Sequence, residues 1–343
     1  MTRRLRGNIM SPNFCTYGET EDSGMSPSLI LLENFLQALA AGVLLGALYG
    51  LMCTGLGIIF GVMRVINFAQ GDLMMLGMYF AWYAFNYGTL AVLGPYVGPI
   101  VAAILAGPAL FAFGYLLHRL LIARVTGIRV AGLEGEGHYA QLILTLGIAL
   151  VLQNGGLLLF GSEVASIKTP LSASAWEIGP FVGQDVSVFI NKARGVAFVV
   201  SLLAAYGLYL FVTRTQLGKS LRAAADNPEA AIYMGIDVDR AHRIAFGIGT
   251  GITAIAGGLV ASYLPFQPYV GLDFVIVMYA GVVLGGLGSI VGAYWGGMTI
   301  GLVQQLSTLV LPIQLQNTAI FVVFLLIVFL RPQGLFGRSV QRA

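Results

Sequence analysis

Charged side chains are scarce in this sequence of 343 residues: 10% are Asp, Glu, Lys or Arg, whereas 57% are hydrophobic. Soluble domains carry about 25% charged residues, because a soluble fold needs a charged surface. The shortage argues against a cytosolic enzyme, a nucleic-acid-binding protein and a disordered chain. The mean hydropathy of +0.85 points to a membrane protein instead.

Cysteine and histidine are also scarce. The two cysteines cannot form a disulfide framework, and because Cys53 lies in an apolar run and Cys15 in a polar segment, we expect both to be free thiols. The histidines are far apart in the sequence, at His118, His138 and His242, and no cluster with carboxylates has the spacing of metal ligands. We therefore expect no catalytic centre, bound cofactor or metal site on this chain.

Long apolar runs are abundant, and a spanning helix needs about 20 mostly apolar residues. The candidate spans are 35–62, 71–90, 97–121, 139–161, 195–213, 242–264, 274–310 and 316–330. The run 274–310 is too long for one helix, and its stretch Gly285-Gly286-Leu287-Gly288 favours a division into two. The sequence predicts an all-α integral membrane protein, a polytopic helical bundle with about eight or nine transmembrane helices, at least one of them discontinuous.

Glycine is frequent, with 46 residues. Pairs such as Gly42/Gly46 and Gly297/Gly301 have the spacing that lets two membrane helices approach closely. We interpret these pairs as packing sites.

Lys and Arg in short loops indicate the cytoplasmic side. The loops 119–138 and 214–243 are rich in basic residues, and Arg64 follows the first span. The link 265–273 has no basic residue, and the loop 162–194 is long and of mixed charge. We therefore expect the first two loops and Arg64 to be cytoplasmic and the last two segments to face outward.

Three regions follow from this topology. Residues 1–33 are a polar N-terminal tail without the apolar core of a signal peptide. Residues 34–331 are the transmembrane domain, which includes the cytoplasmic loop 214–243. Residues 332–343 are a basic cytoplasmic tail.

The loop 214–243 contains a short helix with signals at both ends. Asn227 is a good N-cap, Pro228 suits the first helical position, and Glu229 suits the first turn. Gly235 fits the position that ends a helix. We predict a helix over 228–234.

This short helix carries Ile232, Tyr233 and Met234, an apolar surface outside the membrane. One interpretation is an ordinary loop helix that packs on its own bundle. The functional interpretation is a helix that docks into a groove on a partner protein.

Four segments, in order, are similar to the branched-chain amino-acid permease family of ABC importers, the LivH/LivM type. Glu229-Ala230-Ala231-x-x-x-Gly235 resembles the E-A-A-x-x-x-G loop of ABC importer permeases. The other three segments are Val65-Ile66-Asn67-Phe68-Ala69-Gln70-Gly71-Asp72, Gly281-Val282-Val283-Leu284-Gly285-Gly286-Leu287-Gly288-Ser289 and Leu330-Arg331-Pro332-Gln333-Gly334-Leu335-Phe336-Gly337. The sequence departs from the wider permease consensus, because no I-x-L-P follows Gly235, so the resemblance is to this subfamily.

The resemblance implies a permease subunit in a bacterial inner membrane that translocates branched-chain amino acids. It implies four kinds of partner: a second permease subunit, homologous or identical, two ATP-binding subunits, a periplasmic or extracellular solute-binding protein, and membrane lipid. It implies no nucleic acid, and it implies that ATP and Mg are bound by the partner ATPase subunits. The residues it assigns to ATPase coupling are Asp226, Asn227, Pro228, Glu229, Ala230, Ala231, Met234 and Gly235.

Two nucleotide-like patterns are present in the chain. Gly218-Lys219-Ser220 matches the end of a Walker A loop, but Thr213 occupies the position of the first glycine. Gly249-x-Gly251-x-x-Ala254 lies inside an apolar span with no preceding strand. We interpret the first match as accidental and the second as helix packing.

Polar residues within spans are costly and often line a pathway. The candidates are Asn67, Gln70 and Asp72, where a polar run interrupts the first apolar region, and Gln141 on the fourth span. Ends of interrupted helices can coordinate polar substrate groups. The alternative for each residue is a hydrogen bond between helices.

Two rival functions remain at this point. A urea or short-amide permease of the same subfamily would also have an uncharged pathway. A stand-alone channel or secondary carrier would need no ATPase.

Overall fold

The computed structural model describes residues 27–126, 136–181, 186–331 and 333–336, which form a bundle of long helices. The α-helices are α1 Pro27–Met63, α2 Gln70–Ala84, α3 Leu90–Leu117, α4 Ala123–Thr126, α5 Glu136–Phe160, α6 Lys192–Arg214, α7 Gln216–Asp226, α8 Pro228–Tyr233, α9 Val238–Ala261, α10 Val270–Gly285, α11 Ile290–Ser307 and α12 Gln316–Leu330. Two π-helical segments, Phe85–Thr89 and His118–Ile122, join α2 to α3 and α3 to α4, and a 3-10 turn, Ile313–Leu315, precedes α12.

The helices confirm the predicted polytopic membrane fold. Within the described residues, 5 helical runs are long and apolar enough to cross a membrane by length and composition, and α10 and α12 are shorter apolar helices. The first helix begins at Pro27, so residues 27–33 of the predicted polar tail are helical. Residues 1–26, which include Cys15, lie outside the described part of the chain.

Helix α1 lies at the centre of the bundle and packs against α9 and α11. Its inward side chains, such as Leu51 and Met52, are fully buried. Cys53 is also buried on α1 and is a free thiol, as predicted. Burial of this apolar surface does not by itself drive helices together in lipid, so close packing must contribute much of the stability.

Glycines make that close packing possible. A Cβ at Gly297 of α11 would lie 2.6 Å from the backbone of Tyr49 and Gly50 on α1, and one at Gly301 would overlap the backbone of Gly46. The predicted small-residue packing is therefore confirmed for these helices.

The glycines of α9 serve the same purpose. Gly249 faces the carbonyl oxygen of Gly55 on α1, and Gly251 faces that of Gly107 on α3. The dinucleotide-like pattern is thus a helix-packing surface, as the sequence analysis interpreted it.

The predicted spans 71–90 and 97–121 belong to one nearly continuous helical run, because a π-helical segment joins α2 to α3. Gly94 has φ 71° and breaks the helical geometry inside this run. The chain reverses there, since Ala81 of α2 and Ala103 of α3 both lie against Gly258 of α9. The two arms therefore pack side by side although no loop separates them.

The predicted division of 274–310 is confirmed. Helix α10 ends at Gly285 and α11 begins at Ile290. Gly286 and Gly288 have φ of 103° and 89°, which glycine adopts without a steric cost. The hydroxyl of Ser289 accepts a 3.0 Å hydrogen bond from the N–H of Gly292 and caps α11.

A small β-hairpin is an addition to the predicted all-α bundle. Strands β1 Ala175–Phe181 and β2 Val186–Asn191 pair antiparallel within the loop 162–194, with Trp176 opposite Ile190. The hairpin was not predicted because its strands are short and lie between long apolar helices, which dominate the hydropathy pattern. Asn191 ends β2 and caps α6, so the hairpin leads directly into a spanning helix.

Gln37 of α1 fastens the hairpin to the bundle. Its Nε2 donates to the carbonyl oxygen of Phe189 at 2.7 Å, and its Oε1 accepts from the Phe189 N–H at 2.9 Å. These two bonds give partners to the backbone N–H and carbonyl oxygen of Phe189, which lie on the free edge of β2.

We expect Gln37→Ala to speed amide hydrogen exchange in β2 by about thirtyfold, because it removes two hydrogen bonds that contribute about 1 kcal/mol each. Mass spectrometry of the peptide that contains 186–191 measures this. Gln37→Glu keeps an acceptor for the Phe189 N–H and should show a smaller increase. Unchanged exchange in Gln37→Ala would contradict the assigned role of this side chain.

Candidate functional site

The loop 214–243 forms two short helices, α7 and α8, before α9 begins. The hydroxyl of Thr215 caps α7 by accepting a 3.0 Å hydrogen bond from the N–H of Gly218. Gly218, Lys219 and Ser220 are helical, and the N–H of Gly218 is already engaged. This segment is therefore not a phosphate-cradling loop, as the sequence analysis concluded.

Helix α8 has both of the predicted end signals. The side-chain oxygen of Asn227 accepts a 3.0 Å hydrogen bond from the N–H of Ala230, and Pro228 occupies the first turn. Gly235 has φ 79°, and its N–H donates to the carbonyl oxygen of Ile232 at 2.9 Å. The helix ends at Tyr233, one residue earlier than predicted, and Met234 is its C-cap.

The apolar side of α8 faces away from the bundle. Tyr233 and Met234 are 89% and 81% exposed, and Ile232 is 44% exposed. Glu229 and Ala230 are exposed as well. An apolar surface outside the predicted spans is typical of a protein-docking site.

Beneath α8, a buried apolar cluster joins helices α1, α6, α7, α8 and α9. Its members are Ile58, Val62, Leu208, Val212, Leu221, Ala224, Ala231, Val238, Ala241 and Ala245. Ala231 is the residue of α8 that this cluster buries. The helix therefore has one side fixed to the transmembrane bundle and one side free.

The second candidate site is the break between α1 and α2, at residues 64–69. Asn67 is 2% exposed. Its Oδ1 accepts from the Ala69 N–H at 3.2 Å, and its Nδ2 donates to Oε1 of Gln70 at 3.0 Å. Side chains of the break itself thus stabilise the backbone where the helix is interrupted.

Gln70 connects this break to α9. It is fully buried, and its Nε2 donates to Oγ1 of Thr253 at 2.7 Å and to the carbonyl oxygen of Gly249 at 3.3 Å. Because Oε1 of Gln70 accepts from Asn67, both the oxygen and the nitrogen of the Gln70 amide are hydrogen-bonded. Such a satisfied network fixes the position of α2 relative to α9.

Asp72 and Gln141 lie near the same break, and both side chains are buried in the bundle. Asp72 is 2% exposed, and its carboxylate interacts with the side chain of Gln153 on α5. Gln141 is 3% exposed and lies one helical turn before Thr145, whose hydroxyl accepts from the Phe68 N–H at 3.4 Å. The predicted pathway residues therefore cluster, and their role in substrate binding stays a prediction.

One end of the bundle brings together several segments that we predicted to be cytoplasmic. An open cavity is lined by Arg64 after α1, by Arg222 and Asp226 of α7, and by Phe336 near the C-terminus. At the other end, Ala165 and Phe266 exchange two backbone hydrogen bonds of 2.9 Å, which joins the two segments predicted to face outward. The grouping of loops is consistent with the predicted topology.

The predicted pathway residues Asn67, Gln70, Asp72 and Gln141 form a polar cluster. Thr145 and Thr253, which bond to residues of the break, were not predicted as members of it. Both lie in apolar spans, where a lone threonine commonly bonds its own helix, and Thr253 also donates to the Gly249 carbonyl at 2.9 Å. From the sequence, Arg64 served only to assign the segment after the first span to the cytoplasmic side. His118 and His242, which are distant in sequence, interact electrostatically in the fold, and no group of three metal-ligating side chains occurs among the described residues.

These features define a class: a polytopic helical membrane protein with glycine-rich helix contacts and a capped, exposed helix suited to a partner. The match to known families is more specific. Residues 38–330 match the family described as the branched-chain amino acid transport system, permease component. The chain belongs to this family, and it is a multi-pass protein of the bacterial inner membrane.

Several relatives are similar to this chain over most of their length. The high-affinity branched-chain amino acid transport system permease protein LivH of Escherichia coli K12 is 29% identical over 313 residues, which cover 89% of this chain and 96% of the relative. BraD of Pseudomonas aeruginosa, described in the same words, is 30% identical over 90% of this chain and 97% of its own. A probable branched-chain amino acid transport permease protein LivH of Methanocaldococcus jannaschii is 30% identical over 79% of this chain and 80% of its own. No solved structure gives a significant match to the chain.

Proposed function

We infer that this chain is the membrane-spanning permease subunit of an ABC importer and that its substrates are branched-chain amino acids. Family membership across residues 38–330 is the observation that carries this inference. Among the described residues, Asp72 is the one buried acidic side chain, and no Lys or Arg is buried. An interior with so little charge suits a net-neutral zwitterion and a neutral amide equally, so family membership decides between them.

The rival functions are not favoured. The LivH and BraD relatives are named as branched-chain amino acid transport permease proteins, and none of those names refers to urea, to short amides or to a stand-alone channel.

Competition against the uptake of radiolabelled leucine tests the substrate class. Unlabelled isoleucine and valine should compete, whereas urea and acetamide should not; the reverse order would contradict the assignment.

We propose that ATP and Mg²⁺ are bound by two separate ATP-binding subunits. The support is that the Walker-like segment of this chain lies in α7 with the Gly218 N–H engaged by Thr215. The remaining partners are a second permease subunit, identical or homologous, and an external solute-binding protein that delivers the substrate.

The proposed docking site for an ATP-binding subunit is α8. Three properties support it: the helix is capped at both ends, its apolar residues Tyr233 and Met234 are exposed, and Ala231 anchors it to the bundle. A helix of this kind can seat in a groove of a partner and pass its movement inward. The residues of the docking segment are Asp226, Asn227, Pro228, Glu229, Ala230, Ala231, Met234 and Gly235.

The proposed substrate pathway passes the break between α1 and α2. In the present conformation Asn67 and Gln70 are bonded within the chain. The proposal is that these amides exchange their internal partners for the polar groups of the substrate when the helices move.

We expect Asn67→Leu and Gln70→Leu each to raise the KM for leucine uptake by about tenfold, since a lost hydrogen bond to a charged group contributes about 1.5 kcal/mol. Thr253→Val is the matched control, because it removes one partner of Gln70 and keeps both amides. An unchanged KM and rate in the leucine variants would remove these residues from the pathway. An equal effect of Thr253→Val would show that the network has a structural role alone.

A further inference from the structure

Arg64 has an unusual backbone conformation at the end of α1. Its φ is 55°, and it is the one non-glycine residue with positive φ in the described ranges. Its N–H donates to the carbonyl oxygen of Phe60 at 2.7 Å, which closes the last turn of the helix. A non-glycine residue in this left-handed region is strained, so the surrounding contacts must hold it there.

The side chain of Arg64 provides such contacts. Its Nη2 donates to the carbonyl oxygen of Ala225 at 3.0 Å and to that of Asp226 at 3.3 Å. These two residues end α7, directly before Asn227, the N-cap of α8. A guanidinium at the C-terminus of a helix satisfies carbonyl groups that have no partner within the helix and that carry partial negative charge.

On its other side, Arg64 leads into the break that contains the polar cluster. Val65 is buried, and Asn67 and Gln70 follow within six residues and are bonded to each other. Gln70 is in turn bonded to Thr253 of α9. Arg64 therefore connects two sites. Its side chain is hydrogen-bonded to the start of the docking segment, and its backbone continues into the polar cluster.

The cavity beside Arg64 leaves room for relative movement. It lies between the end of α1, α7 and the turn between α10 and α11, and Arg64 and Asp226 are both on its wall. The two hydrogen bonds of Arg64 cross from α1 to α7 next to this open space. Movement of α8 would be passed through them to the turn at residue 64.

We propose that Arg64 is a positioning residue that couples movement of α7 and α8 to the break between α1 and α2. This inference rests on the proposed docking of an ATP-binding subunit at α8. It predicts that loss of the guanidinium separates ATP hydrolysis from transport and leaves the assembly intact.

Arg64→Gly in the complete transporter is the decisive variant, because glycine adopts the left-handed conformation without strain and removes only the side chain. We expect wild-type levels of bound ATP-binding subunit and of basal ATP hydrolysis. We expect leucine uptake per assembled complex to fall by about tenfold, within the usual range of coupling between two sites. Arg64→Lys keeps the charge and an N–H donor, so it should restore part of the uptake.

Arg222→Ala is the matched control. Arg222 lines the same cavity, but its Nη2 donates to the carbonyl oxygen of Thr213 at 3.3 Å, which lies on α6 rather than on α1. We expect uptake per complex to stay within about twofold of the wild-type value, as for most surface substitutions.

The outcomes separate this inference from the proposed function. Wild-type uptake per complex in Arg64→Gly would overturn the inference, as would a parallel loss of uptake and of bound ATP-binding subunit. Docking at α8 would still hold in the first case if Glu229→Lys with Ala230→Asp releases the ATP-binding subunit. Retention of that subunit by the Glu229 and Ala230 variant would instead contradict the docking proposal itself.

Discussion

Replacement of Glu229 by Lys together with Ala230 by Asp is expected to abolish leucine uptake and to leave the protein in the membrane. Both side chains are exposed on α8, so neither contributes to the apolar core. Lys in the first turn of α8 loses a helix-dipole interaction of about 0.3–1 kcal/mol, too little to unfold the protein. At a docking surface, the reversed charge and the added carboxylate would cost about 2–5 kcal/mol when they are buried without partners.

Uptake of radiolabelled leucine by cells measures this effect, together with immunoblots of the membrane fraction for this chain and for the ATP-binding subunit that co-purifies with it. Asp273→Lys is a matched charge reversal, since Asp273 is exposed in the first turn of α10. Asp273 lies on the predicted outer side, so this control should keep the bound ATP-binding subunit. Normal uptake in the double variant would remove α8 from the coupling mechanism.

Gly301→Ala is expected to cause a large loss of stability. A Cβ at this position would overlap the N and Cα atoms of Gly46, and backbone atoms cannot move aside as a flexible side chain can. Helices α1 and α11 would have to separate along the central contact of the bundle. We expect a loss of about 3 kcal/mol, at the upper end of the range for overpacked cores.

Thermal unfolding of the purified protein in detergent measures this loss as a lower midpoint. Gly147→Ala on α5 is the control, because a Cβ there has no neighbouring atom within 4 Å. Alanine is a better helix former than glycine by about 0.5–1 kcal/mol, so the control should be neutral or slightly stabilising. Equal midpoints for the two variants would contradict the assigned contact between α1 and α11.

Features encoded by adjacent residues were predictable from the sequence. The caps of α8 depend on Asn227, Pro228 and Gly235, and the structure shows all three in the predicted positions. The division at residues 285–288 was predictable for the same reason, because glycines with positive φ interrupt a helix locally. Apolar run length was sufficient to place the long helices.

Features that depend on contacts between distant segments were not predictable. Gln70 and Thr253 are 183 positions apart, and neither sequence neighbourhood indicates the other. Arg64 and Ala225 are 161 positions apart, so no sequence pattern connects α1 to the docking segment. The continuous run from α2 to α3 was missed because a π-helical segment replaces the expected loop.

The proposed function requires this chain to work as one subunit of an ATP-driven importer. Native purification in mild detergent, with mass spectrometry of the bound proteins, tests this requirement. We expect an ATP-binding subunit to co-purify with the wild-type chain and to be lost when Glu229 and Ala230 are replaced by Lys and Asp. Purification without any ATP-binding subunit, combined with leucine flux through the chain alone in liposomes, would contradict the proposed function and indicate a self-sufficient channel or carrier.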